Sequence, residues 1–152
     1  MHAPLVVRLT LPLLRRGELA LARAAASRRA DVAVARRVLA CAGPERRFAR
    51  ALLERKANLW LLRSDQRAFG GDFVVVDCSP ARVEDRAALV LELKQGAPVA
   101  RAGPSRHQVR NAAAVVAAAA RATGALRPDA PFEVLLGDPD ALLARLARAR
   151  RA

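Results

Sequence analysis

The sequence predicts an α/β domain built on a mixed four-stranded sheet, and three observations predict it. Short apolar runs at Leu59–Arg63, Asp72–Val76, Ala88–Lys94 and Phe132–Leu136 have the length of strands rather than of helices. Longer Ala/Leu/Arg-rich segments with a helical repeat stand before, between and after them. The apolar fraction of 53% over 152 residues is well above what a disordered chain allows and is enough to bury one core of ordinary size.

Taken in order, residues 5 to 11 alternate loosely and read as a short strand, and Arg16 to Ala40 carries helical periodicity, which makes the opening third an added helical layer. Ala42-Gly43-Pro44 is a break with proline poised at a helix start. Glu45 to about Asn58 follows as an amphipathic helix, with Phe48, Ala49, Leu52, Leu59 and Trp60 on one stripe. Leu59 to Arg63 is the first core strand and Ser64 to Gly71 a turn. The strand Asp72–Val76 comes next, then a polar loop from Cys78 to Arg86 and the strand Ala88–Lys94. Gly103-Pro104-Ser105 opens a second helix running to about Thr123. Pro128 to Pro131 leads into the strand Phe132–Leu136, and Asp138-Pro139 caps a last basic helix, Asp140–Arg151. The whole chain, 1–152, reads as one domain: a helical extension over 1–43, a core over 44–137 and a C-terminal helix over 138–152.

The net charge of +13 arises from 27 basic residues against 14 acids, and Lys56 and Lys94 are the only lysines. Part of this arginine excess, like the many alanines, is what a GC-rich genome produces, yet the imbalance still favours a polyanionic partner. Four Phe, one Trp and no Tyr argue against single-strand binding by base stacking. Cys41 and Cys78 form no disulfide framework and no metal-ligand spacing, which points to a reducing, cytoplasmic setting. Met1 to Leu14 is apolar but interrupted by Arg8 and preceded by no positive segment, so it does not read as a signal peptide. No segment has the length and apolarity of a membrane span, so no membrane partner is expected.

Two acids and a lysine stand on otherwise apolar strands, in Gly71-Asp72-Phe73-Val74-Val75-Val76-Asp77 and in Leu89-Val90-Leu91-Glu92-Leu93-Lys94. A charge on a buried strand face costs several kcal/mol unless it is paired or binds a metal, so these groups mark a site rather than a core. Side chains alternate along a strand, which puts Asp72 with Val74 and Val76, and Asp77 on the other face. Glu92 and Lys94 share a face opposite Leu89, Leu91 and Leu93, whereas Asp77, next to a polar loop, reads as a strand-end acid. In the preceding helix Glu45 lies near the centre of the apolar stripe and Glu54 points the opposite way. That makes Glu45 a site candidate, or else a first-turn acid complementing the helix dipole.

An acid, a Glu-x-Lys about twenty residues later at the end of a hydrophobic strand, and a glutamate in the preceding helix together resemble the PD-(D/E)XK nuclease superfamily. The resemblance covers residues 44 to 137 and implies a restriction-endonuclease-like αβββαβ core; Gly71 stands where the superfamily's name has proline. It implies that Asp72, Glu92 and the backbone carbonyl of Leu93 hold Mg²⁺, with Mn²⁺ as substitute. Lys94 would orient or deprotonate the attacking water, and Glu45 would complete the metal shell. Gln108 resembles, more faintly, a glutamine that assists the site in exonuclease-like branches. Arg101, Arg106, His107 and Arg110 crowd the start of the second helix, where free backbone N–H groups favour a phosphate.

The expectation is a Mg²⁺-dependent deoxyribonuclease, structure-selective or weakly sequence-specific, acting on DNA; cutting both strands would call for a homodimer or a place in a larger nucleic-acid-processing complex. The alternative is a catalytically silent nuclease-fold subunit that binds nucleic acid.

Overall fold

A computed structural model of the chain describes residues 6–11, 43–55, 58–64, 73–101 and 106–148. Strand β1 is Val6–Leu9, helix α1 Gly43–Arg55, β2 Leu59–Ser64, β3 Phe73–Asp77, β4 Ala88–Leu93 and β5 Ala100–Arg101. Helix α2 is Arg106–Thr123, β6 Phe132–Gly137 and α3 Pro139–Arg148. A short 3₁₀ turn, Val83–Asp85, interrupts the loop between β3 and β4.

The strands form one mixed sheet in the order β1-β2-β3-β4-β6-β5. From β1 to β4 every pairing is antiparallel, β4 and β6 are parallel, and β5 returns antiparallel on the outside of β6. The parallel pair needs a crossover too long for a turn, and α2 supplies it. Helices therefore cover both faces. Ala112, Val115, Val116, Ala119 and Ala120 recur along α2 at helical spacing and pack on Leu62, Val74, Val76, Ala88 and Val90. On the opposite face Phe48, Ala49 and Leu52 of α1 and Leu142, Leu143 and Leu146 of α3 pack on Leu59, Leu61, Phe73, Val75, Leu91 and Leu135. With both faces covered, Phe73 through Val76 are buried without alternation.

Among the described residues the sheet has six strands where the sequence reading expects four. The short strand expected over residues 5 to 11 is present at Val6–Leu9, where it joins the sheet edge instead of standing in a helical extension, and Arg8 stacks 3.7 Å over the Trp60 ring to join β1 to β2. The other addition, β5, is two residues long, too short to carry a periodic signal. Helix α1 ends at Arg55, so Leu59 and Trp60 open β2 instead of continuing the helical stripe. The helical segment expected over Arg16–Ala40 lies outside the described residues.

One arginine and one glycine close the turns. Arg86 donates from Nε to the Pro80 carbonyl (2.9 Å) and from Nη1 to the Ala125 carbonyl (3.0 Å), fastening the β3–β4 loop to the end of α2. Gly124 stops α2 at φ +66, its N–H donating to the Ala120 carbonyl at 2.8 Å. A Cβ at Gly124 would meet nothing within 4 Å, so Gly124→Ala costs only the left-handed backbone, about 1 kcal/mol. Leu91→Ala, at a residue with no exposed surface, should cost about 3 kcal/mol. Urea denaturation of the two variants checks both values; equal losses would show that the Leu91 site collapses around the smaller side chain.

Candidate functional site

The carboxyl ends of the parallel strands β4 and β6 lie side by side, Glu92 paired in register with Leu136 and Leu93 with Gly137. In open α/β sheets this edge is where ligands bind, because the chain leaves the sheet there and uncovers its polar ends. Glu92 is half-buried and, by alternation with Ala88 and Val90, stands on the α2 face. Lys94 is exposed, one residue past the end of β4, and its backbone N–H donates to the Gly137 carbonyl at 2.8 Å. The ladder thus runs on through Lys94, which keeps its Cβ on the side of Glu92.

The turn after Lys94 is tightly bonded. The Ala97 N–H donates to the Lys94 carbonyl at 3.1 Å, and Gly96 carries the positive φ of +79 that a type II turn demands at its third residue. The Gly96 N–H donates to Oδ1 of Asp138 at 3.0 Å, and the Asp140 N–H donates to Oδ2 at 3.1 Å, so one carboxylate holds the turn and caps α3. The Gly96 N–H holds the Asp138 carboxyl below its usual range; burial opposes it, and the N–H groups of Asp140 and Ala141 add smaller lowering effects. Since its folded value is the lower one, the stabilisation it gives is fully present above the ordinary aspartate range and is lost as pH falls through the lowered value.

Glu45 occupies a different place. It is in the first turn of α1, and its Oε2 accepts from Nη2 of Arg63 at 2.7 Å. Arg63 shares its strand face with Leu59 and Leu61, which pack under α1 and α3, and its guanidinium lies 5.2 Å from the Phe73 ring. Only 1% of the Arg63 side chain is exposed, and among the described residues neither Nε nor Nη1 has an acceptor. The Glu45 carboxylate is therefore the counter-ion of a buried guanidinium on the α1/α3 face, across the sheet from Glu92. The sequence reading of Glu45 as facing the sheet agrees with this position; its grouping with Glu92 does not. Arg63 itself was missed, though its signal is the one that singled out Glu92, a charge alternating with leucines on a strand.

Asp72 lies outside the described residues; β3 begins at Phe73, which pairs with Leu91. Arg106, His107 and Gln108 fall in the first turn of α2, but their side chains lie outside what is described. Arg110 is exposed on α2, and Arg101 on β5 bonds Glu133 at 3.0 Å across the sheet edge. Asp77 is exposed and accepts from the Ser79 N–H at 2.9 Å, a turn-forming role. Glu54 is exposed and paired with Arg50 at 3.0 Å. Burial raises the Cys78 thiol, with Arg86 the chief opposing influence, which leaves it protonated near neutral pH.

Among the described residues no three His, Cys, Asp or Glu side chains cluster closely enough to hold a metal ion. Glu92 and the Leu93 carbonyl are nonetheless hard oxygen donors of the type Mg²⁺ takes, and a second carboxylate would complete a set of the right chemistry. Beside this edge a cleft of about 260 Å³ opens between α1 and α3; Arg47 and Arg55 face Asp138 and Asp140 across it, so its walls present no net charge of either sign. Comparisons with family models, curated proteins and solved structures found no significant match to this chain.

Removing the Glu45 carboxylate would strand the Arg63 guanidinium in an apolar layer. Glu45→Ala should therefore lower stability by about 3 kcal/mol, and adding Arg63→Met should restore most of the loss. Equilibrium urea unfolding of the two single variants and the double variant checks the pair. Additive losses would mean that the two side chains are not coupled.

Proposed function

We propose that this protein is a Mg²⁺-dependent deoxyribonuclease that hydrolyses DNA phosphodiester bonds with Asp72, Glu92 and Lys94. The observation that carries the reading is a half-buried glutamate and an exposed lysine at the open carboxyl end of the central strand β4. Around them the chain runs helix, three antiparallel strands, helix and a strand parallel to the third, the order of the restriction-endonuclease-like core. That agreement supports the resemblance of the Asp72, Glu92 and Lys94 pattern to the PD-(D/E)XK superfamily. The two outer strands and α3 are additions to that core.

In this reading Asp72, Glu92 and the Leu93 carbonyl hold the ion, which when bound polarises the phosphate and lowers the pKa of a coordinated water. Lys94 acts through Nζ. Its ammonium attracts the phosphate oxygens, offsets charge that develops as the P–O bond breaks, and orients the attacking water by hydrogen bonding. Glu92, half-buried on the α2 face, gains from a nearby cation the compensation that no ion pair among the described residues provides. Glu45 is engaged by Arg63 and is not needed for these steps. The net charge of +13 supplies the sequence-independent attraction to a phosphate backbone.

The test is cleavage of supercoiled plasmid, linear duplex, single strands and a four-way junction with Mg²⁺ or Mn²⁺. Lys94→Ala and Asp72→Asn should each lower the cleavage rate by about 10²-fold or more while leaving the fold and DNA binding in place. A wild-type protein that binds DNA and never cuts any of these substrates with either ion sinks the nuclease reading and favours a silent binding subunit.

A further inference from the structure

Lys94 belongs to a loop, not to the strand, and a long flexible side chain on a frayed loop would wander away from Glu92. The residues that prevent this come from the far side of the β6–α3 junction. The Gly137 carbonyl takes the Lys94 N–H, the Asp138 N–H donates to the Ala97 carbonyl at 2.8 Å, and Asp138 Oδ1 takes the Gly96 N–H. A Cβ on Gly137 would lie 3.0 Å from both Cα and Cγ2 of Val99, so glycine is what lets the outgoing chain close down on β6. Three hydrogen bonds from two consecutive residues, two through their backbone and one through the Asp138 carboxylate, thus bracket a four-residue turn that starts at Lys94.

We infer that Gly137 and Asp138 are the positioning residues of Lys94: together they fix the turn Lys94–Ala97 so that the Lys94 side chain leaves the sheet on the face of Glu92. As a statement about catalysis this rests on the nuclease reading, but the clamp itself does not. The two oxygens of Asp138 have separate duties, Oδ2 as the cap of α3 and Oδ1 as the holder of Gly96. A serine places one oxygen, on a shorter side chain, where the two N–H groups now meet separate oxygens, so it keeps the cap and gives up the hold on Gly96. Asp138→Ser therefore releases the turn and leaves α3 capped, which separates positioning from simple loss of stability.

The experiment measures amide hydrogen exchange and cleavage on wild type, Asp138→Ser and Gly137→Ala. The expected result is a protected Gly96 amide in the wild type and exchange at least about tenfold faster in Asp138→Ser, with α3 amides unchanged. The kcat for DNA cleavage should fall by about 10²-fold while KM for DNA stays within about twofold, because a catalytic group is displaced and the phosphate contacts are not. Gly137→Ala should reproduce the kcat loss by pushing Val99 away. An unprotected Gly96 amide in the wild type would overturn the clamp. Faster exchange in Asp138→Ser with an unchanged kcat would overturn its role in positioning Lys94. A wild type that never cuts refutes the nuclease reading, and the Gly96 exchange then still decides whether the clamp exists.

Discussion

The parallel pairing of β4 with β6 is the constraint on which the rest of the molecule depends. Parallel neighbours cannot be joined by a hairpin, so the chain must leave the sheet, cross one face and return, and α2 is that crossing. Once α2 covers one face, the other cannot be left to water, because Leu59, Leu61, Phe73, Val75, Leu91 and Leu135 all project there. Helices α1 and α3 fill it. A sheet closed on both faces leaves charged side chains few places to stand: its strand ends, its edges, or a buried pair. Glu92 and Lys94 take the first, Arg101 with Glu133 the second, and Arg63 with Glu45 the third.

The same constraint explains what could be read from the sequence. Strands buried on both faces are short apolar runs, and helices covering them carry a stripe, so element order was legible almost throughout. Two kinds of information were not. Alternation tells which residues of one strand share a face, but not which helix covers that face. Glu45 and Glu92 both looked inward and yet stand on opposite sides of the sheet, because α1 and α2 cover different faces. Local periodicity also has no way to register a contact made by two residues, and β5 exists only because Ala100 and Arg101 meet Leu136 and Leu135. Arg63 is a different case. It was readable by the argument applied to Glu92, and a strand arginine in phase with Leu59 and Leu61 implies a buried counter-ion as directly as a strand glutamate implies a cation.

The place of the proposed site, at the carboxyl ends of β4 and β6, follows from where the backbone is least committed. Within β4 the backbone groups serve the ladders to β3 and β6; past Leu93 and Gly137 the two chains leave strand geometry, and their groups are open to turn and cap bonds. Asp138 uses that freedom twice. It turns the chain into α3 with one oxygen and secures the turn after Lys94 with the other, so the start of a helix and the end of a strand are held by a single carboxylate. Asn would be a comparable cap, but its amide nitrogen cannot accept, and only a carboxylate offers two acceptors to these two N–H groups.

The arginine content needs the same accounting before it is taken as a nucleic-acid footprint. Arg63 neutralises Glu45, Arg86 is committed to carbonyl groups of two loops, and Arg50 and Arg101 pair with Glu54 and Glu133. These side chains hold the protein together and add little to the field that an approaching polyanion meets at close range. What that field is made of are exposed arginines without such duties among the described residues, such as Arg110 and Arg121 on α2 and Arg145 on α3. They stand on both helical layers rather than in one stripe. On the proposed reading, a distribution of this kind would attract a phosphate backbone without reading its sequence, and selectivity would rest with the strand end where Glu92 and Lys94 stand.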